Sequence, residues 1–186
     1  MVEVKQKEEF TVEVRNASNP KDMKNYTTDR LREEFLITGL FTADNSKMVY
    51  SHIDRIITAG FMPVTKELKL EVGKELASEF FLQRREMGCI NIGGKGTIMV
   101  DGTEYVMNPR DGIYIGMGNQ EIIFKSDDAQ TPAKFYVSSC PAHCTYPTVH
   151  IDITKAKKLI GYQPKTTFEE GIRKFVVWYR NDKNIK

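Results

Sequence analysis

The tripeptide Arg84-Arg85-Glu86 combines residue types that can bind a carboxylate and move a proton. Arginine presents a planar fork of N–H donors that matches a carboxylate, and a glutamate can serve as a general base. In an extended strand, alternation places Arg84 and Glu86 on one face and Arg85 on the other. We therefore predict all three as substrate-binding residues. The alternative is an ion pair at the surface or between subunits.

Histidine and cysteine are the other residues that could carry chemistry. The histidines are His52, His143 and His150, and a metal site inside a β-barrel needs about three of them converging with a carboxylate. None belongs to an H-x-H pair with a downstream Glu and His, so each is predicted as a hydrogen-bonded residue at a strand end or interface. Cys140 and Cys144 flank His143, but a zinc knuckle needs a second ligand pair. We predict no metal ligand and no cofactor in this chain.

Two further polar segments have simpler interpretations. The glycine-rich stretch at 92–96 could be taken for a phosphate loop, but such a loop needs a following helix, and the next residues are strand-like. A tight turn is therefore predicted there. The polar stretch at 50–55 contains Tyr50, Ser51, His52, Asp54 and Arg55 and is predicted to form a subunit or domain contact.

Short β-rich runs separated by Gly, Pro, Asn and Asp fill the segment from residue 48 to residue 138. Asp101-Gly102 joins two of them, and this pair tolerates positive φ at both centres of a tight hairpin. Many short strands at close spacing predict a mainly β fold, a sandwich or jelly-roll barrel. The predicted strands are Met48–His52, Arg55–Ala59, Phe80–Leu82, Ile90–Ile92, Thr97–Val100, Glu104–Met107, Gly112–Ile115, Glu121–Phe124 and Ala133–Ser138.

The two ends of the chain have different patterns. A polar arm with a short strand at Phe10–Val14 precedes a short helix capped near Thr27. Apolar residues at helical spacing predict two tail helices, at Ile153–Leu159 and Phe168–Tyr179. The predicted organisation is an N-terminal arm at 1–26, a β-barrel at 27–148 and a helical tail at 149–186.

Composition narrows the class of protein. The chain has 186 residues with 40% hydrophobic and 28% charged content, which is typical of a globular protein. A net charge of +2 gives no reason to expect a nucleic acid partner, and no apolar run is long enough to predict a membrane helix. The charged N-terminus has no signal-peptide core, and three scattered cysteines suit a reducing compartment, so a cytoplasmic location is predicted.

Four sequence blocks within residues 27–148 resemble the first cupin domain of the 5-keto-4-deoxyuronate isomerases. They are MVYSHIDRIITAGFMPV at 48–64, EFFLQRREMGCINIGGKGTIMVDG at 79–102, DGIYIGMGNQEIIF at 111–124 and TPAKFYVSSCPAHCTYPT at 131–148. The resemblance implies a cupin jelly roll and a ketol-isomerase of pectin and uronate degradation. It also implies a small sugar-acid substrate, whose carboxylate Arg84, Arg85 and Glu86 would meet, and a homo-oligomer.

The tail departs from that family. The resemblance implies that the family's zinc ligands, three His and one Glu, lie in a second cupin domain. Residues 149–186 instead resemble the C-terminal end of nucleotide-sugar epimerases of the UDP-glucuronate type, through D-I-T-K-A, L-x-G-Y-x-P and F-x-E-G-I-x-K-F-V-x-W-Y. The sequence has no G-x-G-x-x-G loop, so the tail brings no dehydrogenase chemistry. Whether this junction is natural or an artefact stays open.

These observations predict a truncated or fused relative of the isomerase that lacks the metal-binding domain and has little activity alone. One alternative is a non-catalytic cupin that binds a sugar acid or serves as an oligomerisation module. Another is an active isomerase that uses residues outside the recognised patterns.

Overall fold

The computed structural model describes residues 12–152, 158, 161, 166 and 168–182. The chain divides after Asp152 into two compact units. The first unit contains the β-sheets and the second contains a helix. The predicted barrel ends at residue 148, and residues 149–151 add one further strand to a sheet of the first unit.

The elements of the first unit follow one another with short connections. In chain order they are strand β1 (Glu13–Arg15), helix α1 (Pro20–Met23), helix α2 (Thr28–Phe35), β2 (Asn45–Ser51), β3 (Ile57–Met62), β4 (Leu68–Lys69), two 3-10 helices (Lys74–Leu76 and Phe81–Gln83), β5 (Arg85–Asn91), β6 (Gly96–Val100), β7 (Thr103–Met107), β8 (Gly112–Ile115), β9 (Ile122–Ser126), β10 (Phe135–Pro141) and β11 (Val149–Ile151).

The strand order is that of a jelly roll. One sheet runs β1-β2-β3-β10-β5-β8-β11 and the other runs β4-β9-β6-β7. Strands β3 to β10 therefore pair from the outside inwards: β3 with β10, β4 with β9, β5 with β8 and β6 with β7, all antiparallel. A ribbon paired in this way and rolled into two sheets is a jelly roll, the architecture that cupins use. The predicted mainly β fold is confirmed.

Alternation along the strands builds the core between the two sheets. In β5 and β10 every second side chain is buried and points inwards. Aromatic rings join the sheets: the Phe124 ring stacks on Phe61 with centroids 4.2 Å apart and lies 5.3 Å from Phe135. The other fully buried large side chains are Phe81, Met48, Ile57, Leu82, Met87, Ile98, Met107, Ile115 and Ile122. Apolar side chains thus fill the centre of the barrel.

Local signals account for the elements that the sequence predicts correctly. Asp101 and Gly102 both have positive φ, 46° and 82°, as the hairpin turn between β6 and β7 requires. The Thr27 hydroxyl accepts a hydrogen bond from the backbone N–H of Arg30 at 3.3 Å and caps α2.

Two predicted strands are wrong in position. Phe80–Leu82 is predicted as a strand, yet Phe81–Gln83 is a 3-10 helix, because Phe81 and Leu82 are both buried and so cannot alternate across a sheet. Arg55–Ala59 is predicted as a strand, but β3 begins only at Ile57, since Arg55 has a φ of 54° in the preceding turn.

The flanking predictions are only partly covered by the structure. The predicted strand Phe10–Val14 lies partly outside the described residues, and its described end overlaps β1. Strand β1 pairs in parallel with β2 at the edge of the sheet. The first tail helix, Ile153–Leu159, lies outside them except for residue 158. The second tail helix is confirmed as helix α3 (Phe168–Asp182), whose apolar side chains, such as Trp178, are exposed. None of the described helices has the length and apolar character that crossing a membrane would demand.

Candidate anion-binding site

Strand β5 separates the three predicted site residues. Arg84 precedes the strand, is exposed, and its guanidinium donates to the Ala77 carbonyl oxygen at 3.5 Å. Arg85 opens the strand and points inwards, whereas Glu86 is on the outer face of the sheet. The predicted alternation between Arg85 and Glu86 is confirmed, but the structure does not bring the three side chains into one cluster. Substrate binding by Arg84, Arg85 and Glu86 stays a prediction.

Arg85 is the buried cation of this sheet, with only 6% of its surface exposed. Its Nε donates to the Ser139 hydroxyl at 3.1 Å, and its Nη2 donates to the carbonyl oxygens of Arg55 at 2.6 Å and Ser139 at 2.9 Å. These acceptors are all neutral. No described carboxylate forms an ion pair with Arg85.

The groups around Arg85 are mostly polar or aromatic. Its guanidinium carbon is 6.0 Å from the centroid of the Tyr50 ring, and the His52 ring meets Tyr50 edge-on at 5.3 Å. Burial lowers the pKa of Arg85, the ionisable groups of Tyr50 and Cys140 raise it, and the positive charge of Arg55 lowers it further. The backbone of Arg55 is in direct contact with the Arg85 guanidinium, so the two residues are neighbours in the fold.

The turn between β2 and β3 positions Arg55. Asp54 and Arg55 both have left-handed backbone, with φ of 52° and 54°, which costs free energy in non-glycine residues. The bond from Arg85 Nη2 to the Arg55 carbonyl oxygen holds this turn against β5. The predicted contact surface at 50–55 thus supplies side chains to the surroundings of Arg85. The predicted site lacks Ser139. The feature of the sequence that could have identified it is a polar residue at an inward position of a strand whose other buried residues are apolar.

Glu86 has its own polar neighbours on the outer face. The Tyr114 hydroxyl donates to Glu86 Oε2 at 2.8 Å, and the Cys140 thiol lies 3.6 Å from Oε1. Burial, and then the hydrogen bond to the Glu86 carboxylate, raise the pKa of Tyr114 to about 12. Burial and the Glu86 charge also raise the pKa of Cys140, so this thiol is poorly suited to act as a nucleophile.

Replacing Glu86 with glutamine is expected to lower the pKa of Tyr114 towards its usual value, because the charge that opposes tyrosinate formation is removed. The measurement is an ultraviolet titration of the tyrosine absorbance, with Tyr114→Phe as the reference that isolates this residue. Equal Tyr114 titrations in the wild type and E86Q would show that the carboxylate has no such influence.

The described residues do not fit a zinc ion. His52 and His143 are both exposed and are far apart in the sequence. No group of three or more described His, Cys, Asp or Glu side chains could hold a metal. His150 lies on β11 with its Nε2 3.9 Å from Asp111 Oδ2 and its ring 6.2 Å from Tyr105. His150 lies on the edge strand of its sheet, whereas Asp111 precedes β8 and is fully buried.

The glycine-rich stretch is a turn, as predicted. The Gly93 N–H donates to Asn91 Oδ1 at 3.1 Å and the Gly94 N–H donates to the Pro132 carbonyl oxygen at 2.9 Å. Since these amides are already bonded within the protein, they are not available to an anion.

Comparison with known proteins agrees with the resemblance. The profile of the KduI/IolB family matches residues 35–161. The 4-deoxy-L-threo-5-hexosulose-uronate ketol-isomerase of Lachnoclostridium phytofermentans is 64% identical over 140 residues, 75% of this chain and 51% of that protein. The protein of the same name from Escherichia coli O139:H28 is 52% identical over 168 residues, 89% of this chain and 60% of that protein.

Among solved structures, the Escherichia coli protein Ylba covers 64% of this chain and 48% of its own, with 12% identity and a TM-score of 0.45. The chain spans about half the length of the curated relatives from Lachnoclostridium phytofermentans and Lachnospira eligens. The family match continues past the predicted boundary at residue 148, and the epimerase-like origin of the tail stays a prediction. Because the match extends over residues 35–161, this chain belongs to the KduI/IolB family.

Proposed function

We propose that this chain acts as a cupin domain of the 4-deoxy-L-threo-5-hexosulose-uronate ketol-isomerase type, one that binds a sugar acid and depends on another domain for the metal. The observation that carries the proposal is the extent of the match. The matched residues 35–161 contain every strand of the jelly roll, β3 to β10, while the chain spans about half of its relatives. The matched part of this chain therefore contains the paired strands of a whole jelly roll.

Ketol isomerisation moves a proton between adjacent carbons and needs a base together with a group that stabilises the enediolate. Among the described residues, arginine side chains could bind a carboxylate group of the substrate. The described His, Cys, Asp and Glu side chains form no group that could hold a metal. We accordingly assign substrate binding to this domain and no proton-transfer step. Three points stay predictions: zinc in the full-length family but not in this chain, a homo-oligomer, and a cytoplasmic location.

The purified chain supplied with zinc is expected to turn over 4-deoxy-L-threo-5-hexosulose uronate more than about 1000-fold more slowly than its relatives, because a Lewis acid supplies several kcal/mol of transition-state stabilisation. The measurement is substrate turnover together with elemental analysis of bound zinc. Turnover at a relative's rate with one zinc per chain would overturn the proposal.

A mixing experiment separates the proposal from a non-catalytic sugar-acid binder. The chain is combined with the half of the Lachnoclostridium phytofermentans protein that it does not match, prepared separately. Turnover that appears only in the mixture supports the isomerase domain. Sugar-acid binding by the chain with no turnover in a stable complex favours the non-catalytic alternative.

A further inference from the structure

We propose that Arg85 and Arg55, with the Tyr50 ring beside them, form a binding site for the carboxylate of a small hydroxy acid. The site lies at the end of the jelly roll where β5 begins and where the turn between β2 and β3 closes. It is separate from the glycine-rich turn and from the outer-face group around Glu86.

The hydrogen bonds of Arg85 leave part of its donor capacity unused. A guanidinium carries five N–H donors in a fixed fork. Arg85 uses Nε and both hydrogens of Nη2 on Ser139 and Arg55, and no described hydrogen bond involves Nη1. Nη1 has no described hydrogen-bond partner, yet it is not one of the fully buried polar atoms that lack a partner. It is therefore at least partly in contact with solvent. One nitrogen with two donors is therefore available to a ligand.

The charge around this nitrogen is unbalanced. Neither Arg85 nor Arg55 has an ion-pair partner among the described carboxylates, and Glu86 points to the other face of β5. A buried cation without a counter-charge is costly, and a second cation beside it adds repulsion. An anion held between the two guanidinium groups would relieve both effects.

A carboxylate suits this arrangement because its two oxygens can accept from Arg85 Nη1 and from the Arg55 guanidinium at once. Arg55 is exposed, so the site opens to solvent on that side. The Tyr50 ring is beside the guanidinium of Arg85 and the His52 ring lies edge-on against Tyr50, so this aromatic pair could provide a surface for the carbon skeleton of a sugar. The choice of a sugar acid as the ligand rests on the proposed function, whereas the carboxylate site rests on the geometry.

Isothermal titration with D-galacturonate, and with D-galactose as the matched neutral sugar, tests the site in the full chain. We expect saturable binding of galacturonate and none of galactose. Arg55→Gln is expected to weaken galacturonate binding about tenfold or more, since one of two charged donors is lost. The Arg55 side chain makes no described hydrogen bond or ion pair, so this variant is expected to keep the fold.

Arg110→Gln is the matched control, because it removes the same charge from an exposed residue whose backbone N–H bonds to Asn91, at the opposite end of β5 from Arg85. Its galacturonate affinity is expected to equal that of the wild type. The inference is wrong if galacturonate fails to saturate, if galactose binds equally well, or if R55Q and R110Q lose affinity alike. The titration needs no turnover, so a failure of the isomerase proposal leaves its outcome interpretable.

Discussion

Replacing Phe124 with alanine is expected to lower the free energy of unfolding by about 3–5 kcal/mol, the range found when large aromatic side chains are removed from protein cores. Phe124 is fully buried and belongs to the smaller sheet, while its ring partners Phe61 and Phe135 belong to the larger one. The substitution removes the ring that packs between the sheets and leaves a cavity. Because a domain of this size is stable by only about 5–15 kcal/mol, much of its stability would be lost.

The matched control is Ile123→Ala on the same strand, where the side chain points away from the core and is partly exposed. We expect this variant to lose far less stability. Far-ultraviolet circular dichroism during urea unfolding is the suitable measurement, because it follows the β-sheets directly, whereas the single tryptophan, Trp178, belongs to the second unit. Equal losses in both variants would contradict the packing described for Phe124.

The parts of the fold that the sequence predicts correctly are determined by residues that are adjacent in the sequence. The turn at Asp101-Gly102 follows from two adjacent residues that accept positive φ, and the opposite facing of Arg85 and Glu86 follows from alternation. Phe80–Leu82 shows the limit of such signals. A short apolar run suits a buried strand or a helical turn equally well, and only tertiary packing decides between them.

The surroundings of Arg85 could not be predicted, because they are assembled from distant parts of the chain. Its Nε partner, Ser139, is 54 positions away, and the Arg55 carbonyl oxygen is 30 positions away. These contacts depend on the pairing of β5 with β10 and on where the turn before β3 closes. Local sequence patterns contain neither piece of information, so the predicted site grouped Arg84, Arg85 and Glu86 by adjacency.

Strand β5 carries polar inward residues at both ends, and they differ in how completely they are bonded. Arg85, at its start, keeps an unused donor nitrogen next to a second cation. Asn91, at its end, is fully buried, and both its amide nitrogen and its oxygen are bonded within the protein. A fully bonded buried amide stabilises a fold, whereas a cation with free donors is available to a ligand. We therefore expect a structural role for Asn91, whereas the role of Arg85 depends on the carboxylate site proposed above.

Replacing Asn91 with aspartate is expected to cost about 3 kcal/mol or more at neutral pH, since it places an unpaired charge in a buried hydrogen-bond network. The Asn91 Nδ2 donates to the carbonyl oxygens of Gly94 at 2.7 Å and Met107 at 2.9 Å. Its Oδ1 accepts from the N–H groups of Gly93 at 3.1 Å and Lys134 at 3.2 Å. In the variant, a carboxylate oxygen would face two carbonyl oxygens.

The loss in N91D is expected to depend on pH with a defined sign. Burial and the facing carbonyls raise the folded-state pKa of the new carboxyl above its unfolded value of about 3.9. The penalty of ionisation is then absent below that unfolded value and grows as pH rises until the folded-state pKa is passed. Protonation also restores one donor to the network, so the variant recovers part of its stability in mild acid.

The control for N91D is Asn45→Asp, which adds the same charge at an exposed residue whose side-chain oxygen only accepts, from the Ser46 N–H at 2.8 Å. Urea unfolding of both variants and the wild type, followed by circular dichroism at neutral and mildly acidic pH, gives the comparison. We expect N45D to follow the wild type at both pH values, while the gap between N91D and the wild type narrows in acid. A gap that stays constant with pH would mean that the new carboxyl has the same pKa in the folded and unfolded states, and that its ionisation contributes nothing to the loss.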